Sequence, residues 1–320
     1  MSGVQTVTVA EGDAEQRLDR WFKRRYPALG HGRLEKLLRT GQIRVDGKRA
    51  QGSLRLAAGQ TIRIPPNIDA PPAVAKSGVS DADAKFVQSL VIHIDDDVIV
   101  LNKPAGLAVQ GGTNTPRHLD GMLGALAYDG ERPRLVHRLD RDTSGVLLLA
   151  RSARVAARLA EAFRGKDARK IYIALVAGVP KPARGRIEMA LAKTGGAHEI
   201  VAADDDGKPA VTLYDTLDVM GDRAAVLALM PLTGRTHQLR VHCASGLGTP
   251  IVGDPKYGTD GHRLGDGVAP GLHLHARAIT LDHPSGRGTL HVVAPLPPHM
   301  RRTFKAFGFD PEAEFDRFPR

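Results

Sequence analysis

Apolar and polar positions along this chain follow two different rhythms. Near the N-terminus the rhythm is helical: Leu18, Trp21 and Phe22 fall at i, i+3 and i+4 and share one face. Gly30-His31-Gly32 breaks it, and Arg33-Leu34-Glu35-Lys36-Leu37-Leu38-Arg39 predicts a second amphipathic helix ending near Thr40-Gly41. Ile43-Arg44-Val45 then reads as a short strand, Asp46-Gly47 as a hairpin turn and Lys48-Arg49-Ala50 as the start of the return. Gln60 to Ile64 alternates like a strand and stops at Pro65-Pro66. Beyond it, prolines and small residues with little apolar periodicity predict an extended linker over 66–85.

From Phe86 onward strands outnumber helices. Val91–Ile94 and Val98–Leu101 flank Asp95-Asp96-Asp97 and read as a hairpin. Val146 to Ala150 is an unbroken apolar run, long and branched enough for a buried strand. Ala153 to Phe163 predicts a helix with Val155, Leu159 and Phe163 on one face, and Lys170 to Val176 another strand. Together these elements predict an α+β fold: a mixed, mainly antiparallel β-sheet domain with peripheral helices over 86–310, preceded by a small α/β domain over 11–65. A length of 320 residues suits two such units.

Charge changes this picture in one place. The formal net charge is +10, and residues 17 to 64 hold 13 Lys or Arg against Asp19, Glu35 and Asp46, which is the whole surplus. A short basic module beside a neutral larger one is an electrostatic docking device for a polyanion, although a solvated basic face has the same composition. The candidates for phosphate contact are Arg33, Lys36, Arg39, Arg44, Lys48 and Arg49. No apolar run approaches the ~20 residues of a membrane span, and no secretory signal opens the chain. The single cysteine, Cys243, excludes an internal disulfide and fits a reducing, cytoplasmic setting; it reads as buried filler. No Cys/His spacing suggests zinc, and no Gly-rich loop cradles a nucleotide, so neither metal nor cofactor is expected.

The densest chemistry is His137-Arg138-Leu139-Asp140-Arg141-Asp142-Thr143-Ser144-Gly145, set against the apolar run 146–150. Each residue alone is ordinary turn or ion-pair chemistry. Together they surround Asp140 with cations and donors beside a core strand, where an unpaired polar group is costly. Such a carboxylate can be kept ionised, held still and shielded from water.

This run resembles the HRLDxxTSG signature of the RluA/RluC/RluD family of pseudouridine synthases. Asn102-Lys103-Pro104-Ala105-Gly106 resembles the family's NKPxG motif, and Lys170-Ile171-Tyr172 its K-x-Y. Thr233-Gly234-Arg235-Thr236-His237-Gln238-Leu239-Arg240 resembles its third motif, and Gly253-Asp254-Pro255-Lys256-Tyr257-Gly258 follows in the family's order. The likeness covers Asp97 to about Pro295. Residues 11–65, with LLRTGQIRVDGKRA, resemble the RNA-binding module first described in ribosomal protein S-four.

The resemblance implies an isomerase that detaches uracil from carbon 1′ of the ribose and rejoins it through carbon 5. It makes Asp140 the catalytic residue, as nucleophile at carbon 1′ or as base at carbon 2′. Arg235 is expected to pair with it and lower its pKa. Tyr172 is expected to stack on the uracil and relay the proton, Arg138 to fill the gap left by the flipped base, and Leu239 to form the apolar floor. His137 and Thr143 are expected to brace the loop, and His237 and His242 to serve structure or RNA contact. The expected partner of an RluC-like member is 23S ribosomal RNA, naked or in a pre-ribosomal particle, with no DNA, no membrane and a monomeric enzyme. A tRNA or other rRNA site, and a non-catalytic assembly factor, are the competing readings. A metal-dependent nuclease is more distant, because Asp95-Asp96-Asp97 sits in a predicted turn.

Overall fold

A computed structural model describes residues 4–319 except 27–28, 67, 69–78, 113–114, 129, 166, 195–199, 205 and 259–263. The chain divides into two units, Met1–Gly78 and Val79–Arg320. The first holds β1 (Gln5–Thr8), α1 (Leu18–Arg25), α2 (His31–Arg39), β2 (Arg44–Val45), β3 (Lys48–Arg49) and β4 (Thr61–Ile64). Its sheet has the order β1-β4-β2-β3, antiparallel throughout. Leu18, Trp21 and Phe22 of α1 bury against Leu34 and Leu38 of α2 and against Ile43, Ile62 and Ile64. Burying each such side chain stabilises the unit by roughly 1.5–3 kcal/mol. Asp46 and Gly47 both take positive φ, 50° and 74°, as a two-residue hairpin of this hand requires.

Three boundaries differ from expectation. Helix α2 starts at His31, so Gly32 lies inside it and only Gly30 stands outside as the N-cap. Strand β1 adds an edge to the sheet by pairing Gln5–Thr8 with Thr61–Ile64. The linker expected over 66–85 is shorter at both ends. Ile68 is buried in the first unit's core, and Asp81–Ser89 forms α3, capped by Ser80 Oγ accepting from Asp83 N at 3.1 Å. Most of the remainder, 69–78, lies outside the described residues.

In the second unit α3 is followed by β5 (Val91–Ile94), β6 (Val98–Lys103), α4 (Leu119–Met122), β7 (Arg134–Leu135), β8 (Ser144–Ala150), α5 (Ala153–Gly165) and β9 (Arg169–Ala177). Then come β10 (Arg184–Thr194), β11 (Ile200–Ala203), β12 (Lys208–Met220), β13 (Ala224–Pro231), α6 (Gln238–Val241), β14 (Leu274–Asp282), β15 (Thr289–Val293) and α7 (Pro298–Phe307). They form one 11-stranded sheet with the spine β11-β10-β12-β13-β9-β14-β8-β6-β5; β15 pairs β14 and β7 pairs β8. Among the described residues every ladder is antiparallel except β14 with β8. No helix among them is long and apolar enough to cross a membrane.

From Val146 to Ala150 strand β8 is apolar without interruption, because both its faces are covered. Leu147 and Leu149 join Ile99, Leu101, Val87 of α3 and Leu119 of α4 on one side. Val146 and Leu148 join Val98, Val100, Val155 and Leu159 of α5 on the other. At the start of β8, Gly145 has φ 112°, and a Cβ there would lie 2.2 Å from the Ala276 carbonyl oxygen. Only glycine lets β8 run this close alongside β14. The unit extends past the expected end at 310: Phe315 and Phe318 pack on the core beside α7, and Arg169 forms an ion pair with Asp316.

Candidate active site

The loop carrying Asp140 runs from β7 into β8 and is held at three points. Pairing of β7 with β8 ends at Leu135, opposite Leu149. Past that end, His137 Nε2 accepts the Leu148 N–H at 2.9 Å, and its ring stacks on Phe163 at 4.6 Å. Burial, helped by Lys170, pushes the His137 imidazole down to about 3, so it stays neutral and can keep accepting. Second, Lys103 at the end of β6 is fully buried, and its Nζ donates to the carbonyls of Pro104, Leu107 and Arg141 at 2.9, 2.9 and 3.0 Å. Gly106 N also donates to Arg141 O, at 2.9 Å. The NKPAG segment thus staples the Asp140 loop. Burial lowers Lys103 to about 7, while the charges of Asp142 and Asp140 hold it up; three carbonyl acceptors also favour the ammonium, which has three donors. Third, Ser144 Oγ meets His275 Nδ1 of β14 at 2.9 Å.

Between these anchors Asp140 is half-buried at the edge of a cavity of about 160 Å³. All five residues expected near the uridine line it: Arg138, Asp140, Tyr172, Arg235 and Leu239. Tyr172 reaches it from the middle of β9, and burial together with the Asp140 charge pushes its phenol up, so the hydroxyl keeps its proton. Leu239 is buried beneath and packs with Leu274 and Tyr172, giving one apolar wall. Arg138 is exposed.

The expected Arg235–Asp140 ion pair does not form. Arg235 is exposed, and its Nε donates to the Pro209 carbonyl at 3.2 Å. Besides Lys103, a second buried cation feels Asp140's charge: Arg240, in α6. Its Nε and a terminal nitrogen grip Asp254 at 2.7 and 2.6 Å, with both side chains almost wholly buried. Burial works against charge on both partners, and the bidentate pairing outweighs it: Arg240 is held up and Asp254 down. Asp254 also accepts from the Lys256 and Tyr257 amides at 2.9 and 3.2 Å.

The turn that presents these residues is set by Gln238. Its Oε1 accepts from Thr233 Oγ1 at 2.8 Å and from the Arg235 amide at 3.0 Å. Its Nε2 donates to Val211 O and Thr212 Oγ1, both at 3.0 Å. Just before α6, His237 adopts left-handed φ 53° and ψ 16°. Lys103, Arg240, Asp254 and Tyr257 were not singled out from sequence, although all four lie within the quoted motifs; a Lys or Arg in a motif reads as surface until its carbonyl or carboxylate partners are seen.

Of the basic candidates in the first unit, Lys36 and Arg39 are exposed on α2, and Arg33 is half-buried there. Arg44, Lys48 and Arg49 are exposed on the β2–β3 hairpin, with Arg44 donating to Gly47 O at 3.2 Å. In the second unit Cys243 is fully buried, and burial with the Asp254 charge pushes its thiol up to about 12. Among the described residues no three His, Cys, Asp or Glu side chains are placed to hold a metal.

Residues 97–245 match the family model described as RNA pseudouridylate synthase. Ribosomal large subunit pseudouridine synthase C of Rickettsia bellii is 37% identical over 293 residues, covering 89% of this chain and 96% of the relative. The protein of that name from Vibrio cholerae is 34% identical over 93% of this chain and 95% of its own length. Among solved structures, human RNA pseudouridylate synthase domain containing 4 superposes with a TM-score of 0.60 at 30% identity, over 70% of this chain and 95% of its own.

Proposed function

This chain belongs to the RNA pseudouridylate synthase family and is an isomerase that converts uridine in RNA to pseudouridine; we propose that it acts on 23S ribosomal RNA with Asp140 as the catalytic carboxylate. The observation that carries the assignment is the meeting of Asp140 with Tyr172, Leu239 and Arg138 in one cavity. The carboxylate acts at the sugar, at carbon 1′ or carbon 2′. The glycosidic bond then breaks, and its electron pair leaves with the uracil. Tyr172 and Leu239 hold the free base while it turns. Carbon 5 bonds to carbon 1′ as that carbon's bond to Asp140 breaks or, by the carbon 2′ route, as carbon 2′ takes back the proton that Asp140 removed. Carbon 5 then loses its proton, with the Tyr172 hydroxyl as the candidate relay to solvent, and N1, which left with the electron pair, takes one up. Arg138, exposed at the rim, enters the space that the extruded base leaves in the RNA.

The ribosomal substrate is favoured by relatives whose names specify the large ribosomal subunit, and which this chain covers almost end to end. The first unit is proposed as an RNA-docking module of the ribosomal-protein type, contacting phosphates through Arg33, Lys36, Arg39, Arg44, Lys48 and Arg49. A pseudouridine map of total RNA with and without the protein tests the substrate. Loss of marks confined to 23S rRNA is expected, and loss confined to tRNA would replace this reading. Tritium release from carbon-5-labelled RNA by wild type and Asp140→Asn tests the chemistry.

A further inference from the structure

One side chain in the cavity has a role that the reaction outlined above does not use. His237 is half-buried and lines the cavity with Asp140 and Tyr172. Its backbone is left-handed, a conformation unfavourable for a residue other than glycine. Its Nδ1 lies 2.9 Å from the Tyr257 hydroxyl. That hydroxyl already accepts the amide N–H of Val201 on β11, also at 2.9 Å. The Tyr257 ring carries the Arg240 guanidinium on its face at 5.1 Å and the His237 ring at its edge at 5.6 Å. Burial raises the Tyr257 phenol, so it keeps its proton. With Val201 N–H donating to the oxygen, the phenolic proton is free to go to His237 Nδ1. An imidazole that accepts at Nδ1 and is neutral carries its own proton at Nε2.

Every charged group around His237 bears on that neutrality. Burial lowers it, and Arg240 and Lys256 add to the effect; Asp140 and Asp254 oppose them, and the balance is downward. Arg138 and Arg235 line the same cavity. Among the described residues Nε2 has no hydrogen-bond partner in the protein.

We propose that His237 is a substrate-contacting residue whose Nε2–H donates to a carbonyl oxygen of the extruded uracil, and that Tyr257 is the positioning residue that sets this tautomer and ties it to β11. This rests on the uridine-isomerising reading of the cavity. By either route at the sugar, uracil departs with the electron pair of the glycosidic bond, and the negative charge spreads onto its carbonyl oxygens. A fixed neutral N–H aimed at one of them stabilises the departing base more than the bound nucleotide, and so acts on the rate more than on affinity.

The test combines ¹⁵N-histidine NMR of the full chain with single-turnover kinetics on a cognate RNA fragment. His237 is assigned by the resonance missing in His237→Gln. In wild type it is expected as the neutral tautomer protonated at Nε2. In Tyr257→Phe the tautomers mix and the titration midpoint rises, because a donor that favoured the neutral ring has gone. The single-turnover rate is expected to fall about tenfold in Tyr257→Phe and His237→Ala, with RNA affinity nearly unchanged. His237→Gln, which offers an amide N–H near the same place at the same backbone cost, should recover most of the loss. RNA with sulfur in place of the target's O2 or O4, a weaker acceptor, should slow wild type at one of the two positions and cost His237→Ala nothing extra there. An Nδ1-protonated wild-type His237, or a folded His237→Ala with wild-type rate, overturns the proposal. Asp140→Asn is run alongside: if it turns over, the failure lies in the catalytic reading and not in the tautomer.

Discussion

The two units handle charge in opposite ways. The first buries an apolar core with Trp21, Phe22 and Tyr26 at its centre and leaves its cations at the surface. Its buried carboxylate, Asp13, is answered by the Trp21 indole at 3.0 Å and by Arg24. The second takes ionisable groups inside: Lys103, Arg240, Asp254, Arg277, His242, His273 and His275 are all nearly inaccessible. Charge at the surface acts at long range, is screened by salt and suits docking to a polyanion. Charge in the interior has a fixed direction and escapes screening, which suits a reacting centre, and it is costly wherever one partner is missing. One chain thus keeps surface charge and interior charge in different units.

That contrast is broken most severely at Asp140. Asp140→Asn should lower turnover by more than about 10³-fold while RNA affinity stays within a few fold, because it removes the ionised carboxylate and no phosphate contact. Single-turnover assays and filter binding on the same RNA separate the two.

Acid should strike the units unequally. His137 and His275 titrate at about 3 in the folded chain, and His242 and His273 at about 4, each depressed by burial. Unfolded histidines take protons near 6.5, so this stability is complete above that pH and is lost as pH falls from 6.5 toward 3. Four protons taken up on unfolding give a slope of up to about 5 kcal/mol per pH unit. Residues 1–78 hold one histidine, His31, and the chain's single tryptophan, Trp21. On acidification the far-UV circular dichroism transition should therefore precede the change in Trp21 fluorescence. Coincident transitions would mean that the units unfold together.

Arg240→Met leaves Asp254 buried without its cation and should destabilise the second unit by about 3–5 kcal/mol, seen as a lowered denaturant midpoint. Replacing both partners, Arg240→Met with Asp254→Leu, should restore much of that stability and none of the activity. Recovery of both would reduce the pair to scaffolding.

The gentlest perturbation is outside. Exchanging Lys36, Arg39, Lys48 and Arg49 for glutamine should reduce the slope of log affinity against log salt by about 3, if each neutralises one phosphate, with the rate on saturating RNA unchanged. An unaltered slope would remove the docking role from α2 and the hairpin.

How far these features could be read from sequence follows from which forces act locally. The strand was legible over Val146–Ala150, because burial on both faces leaves no polar position there to confuse the pattern. The gathering of Asp140, Tyr172 and Leu239 was legible only through motifs, since they come from three distant segments. Arg240 was passed over for Arg235 because the left-handed turn at His237 redirects the chain between them, and no periodicity carries that turn. Lys103 was invisible as a staple, because its acceptors are backbone carbonyls that any sequence supplies. Strand β1 escaped notice because Gln5–Thr8 is an edge with almost no buried face.

The parallel meeting of β8 with β14 also bears on when activity first exists. Ser144 and His275 stand 131 residues apart in the chain. At synthesis rates of about 5–20 residues per second, the strand behind Asp140 waits roughly 7–26 s for its neighbour to be made. Until then Gly145 has no Ala276 carbonyl to lie against, and the wall formed by α6 and Leu274 does not exist. A nascent chain on the ribosome therefore carries Asp140 in a loop whose partners across the sheet have yet to be made.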